Sequence, residues 1–113
     1  MSGFYAEQTE TVDLGKGNSA TLRRLTYGEI SELLSACRVA GGEIDYVRYT
    51  RGLVEKGVIG WTGPGFEGRE VKVENIRALP AKVGSKLASA AIALNKDIED
   101  DEGNESGGAT NSA

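Results

Sequence analysis

The feature that most constrains this chain is a one-sided apolar stripe near its end. From Pro80 onward, Val83, Leu87, Ala90, Ala91, Leu94 and Ile98 recur in steps of four, three, one, three and four. A helix of 3.6 residues per turn gathers them all on one side. Pro80 suits the first helical turn, where its missing N–H would have no partner in any case. A helix with one apolar side must lay that side against another layer. The stretch just before it supplies candidates: Val58-Ile59-Gly60-Trp61, with the only tryptophan of the chain, then a glycine-rich turn. The region from Val58 to Leu94 is therefore expected to form the core on which the other elements pack.

The rest of the chain can be read against that core. Thr9 to Leu14 alternates, with Val12 and Leu14 on one face, and Ala20 and Leu22 alternate after Gly15-Lys16-Gly17-Asn18. Two short alternating runs around a Gly/Asn turn predict a β-hairpin, which on its own is marginal and needs an apolar bed. Thr26-Tyr27-Gly28-Glu29 has the form of a capping box, with Leu25 before it and Ile30 after it placed as a hydrophobic staple. The helix that follows carries Ile30, Leu33, Leu34 and Cys37 on one face and is expected to end at Gly41-Gly42. A second helix is expected from Glu43 to Lys56, with Ile44, Val47 and Val54 on its apolar side and Tyr46 and Leu53 at the margin. Gly52 inside it costs about 1 kcal/mol against alanine. Val58 to Trp61 and Glu70 to Val73 read as short extended segments, and Glu74 to Leu79 as one helical turn before the long helix.

These elements predict an α+β fold: a helix-dominated small domain of three main helices, with an N-terminal β-hairpin and short extended segments. Residues 1–8 are expected to be a flexible N-terminus, residues 9–98 a single globular domain, and residues 99–113 a disordered acidic tail. The tail stretch from Glu99 to Gly108 contains no apolar residue and so has nothing to offset the entropy of ordering. A chain of 113 residues can bury one core without metals or disulfides, and with only seven aromatic residues that core must be aliphatic.

Charge and composition remove several functions. Residues 1–96 hold all 13 Lys and Arg against 11 Asp and Glu, a net of +2, whereas residues 97–113 hold six acids and no base. A nearly neutral folded part lacks the basic face that would neutralise nucleic-acid phosphates. With no histidine and one cysteine, a Cys/His zinc site and a histidine general base are both excluded within the chain. Cys37 alone makes no internal disulfide, the N-terminus has neither the basic nor the apolar region of a signal peptide, and the longest apolar run, Leu87 to Leu94, falls far short of the roughly 20 residues of a membrane span. The expectation is a soluble intracellular protein that binds neither nucleic acid nor membrane.

Each chemical motif has a plainer reading. Gly63-Pro64-Gly65-Phe66-Glu67-Gly68 matches the dinucleotide fingerprint G-x-G-x-x-G, but that motif needs a helix start directly after the glycines to receive a pyrophosphate. Here Arg69-Glu70-Val71-Lys72-Val73 alternates like a strand, and no acid stands about 20 residues on for a ribose. A tight connection between two extended segments is the better reading. Trp61 could be an exposed recognition residue, yet a lone tryptophan in a small domain is more often core. Cys37 falls on an apolar helix face with no base to activate it. Ser85 and Lys86, neighbours on a helix, point in different directions and form no dyad. Gly84, Ala88 and Ala91 make a small-residue stripe that admits a close helix, from this chain in preference to a partner. No catalytic, cofactor-binding or metal-binding residue emerges, and no partner-binding residue can be named.

The order of these elements carries a resemblance. An alternating strand is followed by Leu22-Arg23-Arg24-Leu25-Thr26-Tyr27-Gly28-Glu29 leading into a helix, then a strand ending in Gly60-Trp61, then Val73-Glu74-Asn75-Ile76-Arg77-Ala78-Leu79-Pro80 before a final helix, and an acidic tail containing Leu94-Asn95-Lys96. Over roughly residues 9–102 this resembles the small tail assembly chaperones of long-tailed bacteriophages and prophages. The resemblance implies a non-enzymatic protein without cofactors. It would bind the tape-measure protein and help recruit tail-tube subunits during assembly, reaching the tail-tube protein through a frameshifted longer form. It would act in the bacterial host cytoplasm and be absent from the mature virion. The alternatives are a structural connector or tail-completion protein retained in the virion, and a small regulatory adaptor outside phage biology.

Overall fold

In the computed structural model, which describes residues 8–96, β1 (Thr9–Gly15) and β2 (Asn18–Arg23) pair antiparallel as the alternation predicts. Gly15, Lys16 and Gly17 all have positive φ at the turn, and Asp13 Oδ1 accepts the Gly15 N–H at 2.8 Å. Val12 and Leu14 lie with Ala20 and Leu22 against the core, while Thr11 and Thr21 face each other on the outer side. Of the expected flexible N-terminus, residues 1–7 lie outside the described residues, as do Ile98 and the expected disordered tail, 99–113. Gln8 does not behave as loose chain: its carbonyl accepts the Arg24 N–H at 2.8 Å, which continues the ladder.

The capping box is present as the sequence predicts. Thr26 Oγ1 accepts the Glu29 N–H at 3.2 Å and Glu29 Oε1 accepts the Thr26 N–H at 2.9 Å. The Arg23 guanidinium donates to both Glu29 oxygens at 2.8 and 2.7 Å, so it and the cap N–H hold the Glu29 carboxyl down at about 2, well below the usual range. α1 (Tyr27–Ala36) then buries Leu33 and, at its C-terminal cap, Cys37, with Ile30 half-buried beside them.

This helix ends earlier than Gly41-Gly42. The chain instead folds back on itself: Arg38 bridges Ile44, Val39 donates to the Glu43 carbonyl at 2.8 Å, and Asp45 donates to the Cys37 carbonyl at 2.8 Å. Gly41 and Gly42, both at positive φ, make the tip of this loop. Glu43 and Ile44 are thereby held extended, so α2 (Tyr46–Gly57) begins three residues later than the expected Glu43. Asp45 caps it, accepting the Arg48 N–H at 3.2 Å.

β3 (Val58–Thr62) follows α2 directly and pairs antiparallel with the free edge of β2, giving a sheet ordered β1-β2-β3. Leu22 opposes Val58 and Thr21 opposes Gly60, so Ile59 bulges outward and is exposed. The second expected extended segment, Glu70 to Val73, is not a strand. Trp61 Nε1 donates to the Arg69 carbonyl at 2.7 Å and Asn75 Nδ2 to the Glu70 carbonyl at 2.9 Å. Side chains thus occupy the acceptors a ladder would use, and Val73 opens the short α3 (Val73–Arg77) instead.

α4 (Ala81–Asn95) is the long helix the stripe predicts, with Pro80 at its N-cap. Leu87 and Ala91 are fully buried, and Val83, Ala90 and Leu94 pack half-buried around them. α2 and α4 lie against each other and against one face of the sheet. One buried polar side chain fastens this arrangement. Asn95, 7% exposed, accepts the Leu25 N–H at 3.0 Å and donates to the Ala91 carbonyl at 2.8 Å, tying the end of α4 to the start of α1. The result is the α+β fold with three main helices that the sequence predicts.

Candidate functional site

The apolar side of α2 is real, but only part of it is covered. Leu53, placed at the margin by the sequence pattern, is 1% exposed and belongs to the centre of the core. Val54 is also buried, whereas Val47, one heptad earlier on the same side, is 77% exposed, and Tyr46 beside it is 67% exposed. Ile44, taken for the first member of the stripe, is half-buried from the preceding loop rather than from the helix. The expected apolar side therefore splits: Leu53 and Val54 meet the core, while Tyr46 and Val47 stay exposed.

That bare half forms one wall of an open groove of about 760 Å³. Tyr46, Val47, Thr50 and Val54 come from α2, Ile76 and Leu79 from α3 and the turn after it, and Gly84, Ser85 and Ala88 from α4. Arg51, Glu55 and Arg77 stand at its rim. The Arg77 guanidinium donates to Glu55 at 2.7 Å through Nε and at 3.3 Å through its terminal nitrogen, which pins α3 to α2. Arg51 reaches the same carboxylate at 4.0 Å. Glu55 is largely buried beneath the two arginines, whose side chains remain more than half exposed.

The small-residue stripe of α4 divides in the same way. Ala91 is buried within the chain, as the same-chain reading expects, and Ala88 packs half-buried on the core. Gly84 points into the groove, where an added Cβ would find nothing within 4 Å. Ser85 shares the groove wall while the adjacent Lys86 does not.

The glycine-rich loop has a structural use for its glycines. Pro64–Phe66 forms a single 3-10 turn, and Asn18 of the hairpin lies directly against it. Asn18 Oδ1 accepts the Gly65 N–H at 2.7 Å, while Asn18 Nδ2 donates to the Gly15 carbonyl at 3.0 Å. A Cβ on Gly63 would collide with Asn18, and Gly63 sits at φ 127° besides. The loop therefore closes on the hairpin tip in the place where a dinucleotide motif would close on phosphate. Trp61 is half-buried and stacks on Phe66, with ring centroids 4.5 Å apart and planes 9° from parallel. Phe66 itself is 6% exposed, a core residue that alternation alone did not single out. Cys37 is buried on the α1 side.

Among the described residues, no group of three His, Cys, Asp or Glu could hold a metal ion, and no helix is long and apolar enough to cross a membrane. The groove is what the geometry offers: an apolar trough between helices, lined by Val47, Val54, Ile76 and the small residues of α4 and rimmed by arginine. Such a surface receives a helix through packing, with polar groups only at its edges. Its residues escaped sequence reasoning because burial at one end of a helical side does not imply burial at the other. The one signal available was the coincidence of Gly84 and Ala88 with an apolar α2 side two elements away. Comparison with protein-family models, with curated proteins and with solved structures gave no match.

Proposed function

We propose that this protein is a non-enzymatic tail assembly chaperone of a long-tailed phage or prophage, and that it holds an apolar helical segment of the tape-measure protein in the groove between α2 and α4. The observation that carries this reading is the groove itself, with Val47 and Tyr46 uncovered on one wall and Gly84 open on the other. The order of elements from the hairpin to the final helix, on which the resemblance rests, agrees with it. A tape-measure protein is long and helical, and its apolar stripes need cover until tube subunits surround them. A groove of this kind covers such a stripe by helix packing. The acidic residues 97–113 would keep the complex soluble by self-repulsion. The setting of this activity is the host cytoplasm, and a frameshifted longer form would extend it to the tail-tube protein.

The test is co-expression with the tape-measure protein of the same phage. That protein's soluble yield should rise, and it should copurify with this chain through moderate salt, because apolar packing rather than exposed ion pairs holds the complex. Mass spectrometry of purified virions should find little or none of this chain. Recovery at fixed stoichiometry from finished particles, with no solubilising effect, would assign the protein to a connector or tail-completion role instead.

A further inference from the structure

The charge around the groove is not that of the whole folded part. The groove's lining carries two bases, Arg51 and Arg77, against one acid, Glu55, where residues 1–96 as a whole stand at 13 to 11. Glu55 is already engaged by Arg77 and approached by Arg51. α4 has no acidic residue at all along Ala81–Asn95.

We infer that the groove's occupant is an amphipathic helix of a partner protein whose apolar stripe is flanked by carboxylates. The apolar floor of Val47, Val54, Ile76 and Ala88 would take the stripe. Gly84 would let the backbone of the incoming helix approach α4 closely, which gives a purpose to a glycine in the first turn of α4 that nothing in this chain crowds. Arg51 and Arg77, which share the single carboxylate of Glu55 and keep more than half of their side chains exposed, would meet the flanking carboxylates. The floor supplies affinity and the rim supplies choice of partner and of orientation. This deepens the preceding reading, since it rests on the groove being the partner's seat and adds which helical segments it accepts.

Two synthetic helical peptides with the same leucine stripe, one flanked by glutamate and one by lysine, test the inference on the full chain by fluorescence anisotropy. The glutamate-flanked peptide should bind about five- to tenfold more tightly at low salt, the preference shrinking as salt rises while binding persists. Arg51→Glu should erase or reverse the preference. Gly84→Leu and Val47→Glu should abolish binding of both peptides, with thermal melts showing that each variant folds, since Gly84 faces open space and Val47 is exposed. Equal binding of the two peptides, or binding undiminished by Gly84→Leu, would overturn the inference. So would a concentration-dependent dimer in sedimentation that Val47→Glu dissolves, because a second copy would then be the occupant. The outcome is separable from the tape-measure experiment. If the glutamate peptide binds in the groove and no tape-measure protein copurifies, the chemistry stands and the phage assignment falls. If the tape measure copurifies equally with Gly84→Leu, the assignment stands and this seat for it falls.

Discussion

Two glycines interrupt two helices of this molecule, and the spaces in front of them are opposite. Gly52 lies mid-way along α2 on the side facing α1, where an added Cβ would collide with Leu33. Gly84 lies in α4 on the side facing the groove, where the same addition meets nothing. Both glycines cost about 1 kcal/mol of helix propensity relative to alanine. At Gly52 the fold recovers that cost by bringing two helices of the same chain into close contact. At Gly84 the isolated chain recovers nothing. The α1–α2 seam thus uses its glycine for a contact within the chain, and the α2–α4 groove leaves its glycine open.

The largest effect should come from filling the seam. Gly52→Ala gains helix propensity yet forces Leu33, 8% exposed, out of its place. Overpacking of a core costs about 1–3 kcal/mol, so after the gain of about 1 kcal/mol in propensity the net should be a loss of up to roughly 2 kcal/mol in a urea titration. A Gly52→Ala protein as stable as the parent would mean that Leu33 moves freely. The contrast between seam and groove would then vanish.

That contrast was only half visible in the sequence. The capping box at Thr26, the hairpin around Gly15–Asn18 and the apolar face of α4 are local patterns, and each is read correctly from residues close in the chain. The groove is a product of three segments far apart in sequence. Periodicity marks Val47 and Val54 as equals, and only the packing of α2 on α4 and the sheet buries one and leaves the other bare. Gly52 looked like a weakness of α2 because the neighbour that needs it, Leu33, belongs to another helix. Asn95 was placed only within the acidic tail of the resemblance, because its partner, the Leu25 N–H, is 70 residues away. The false strand at Glu70–Val73 failed for the same reason. Alternation was present, but Trp61 and Asn75 had taken the carbonyls.

The seam side has a second, electrostatic fastener that acid should release. Glu29, at the start of α1, has its carboxyl held down to about 2 by Arg23 and by the Thr26 N–H. A carboxyl with a lowered folded-state value contributes stability that is fully present above its unfolded value of about 4.3. That contribution disappears as pH falls through about 2. Because the pair is partly exposed, solvent screening reduces it to about 1 kcal/mol. The difference in unfolding free energy between the parent and Glu29→Gln should therefore be near that size at pH 7 and should shrink between about pH 4.5 and 2. A difference that does not change with pH would leave the cap geometry, and not the charge, as the whole of Glu29's contribution.

The smallest expected change in stability is the most informative about the groove. Gly84→Ala adds a methyl group to an exposed side of α4 at a helical position, with no atom within 4 Å to resist it. The variant should be more stable than the parent by up to about 1 kcal/mol, from helix propensity and from the smaller entropy of its unfolded chain. Gly52→Ala and Gly84→Ala, the same chemical change in two helices, should thus move stability in opposite directions. The gain should carry a loss elsewhere, since the methyl group stands where the backbone of a docked helix would approach, and binding of the glutamate-flanked peptide should weaken. A stabilised Gly84→Ala protein that binds the peptide as well as the parent would mean that the incoming helix keeps its distance from α4. A destabilised one would mean that the groove is already filled in solution by the chain itself. It would then be no different in kind from the seam at Gly52.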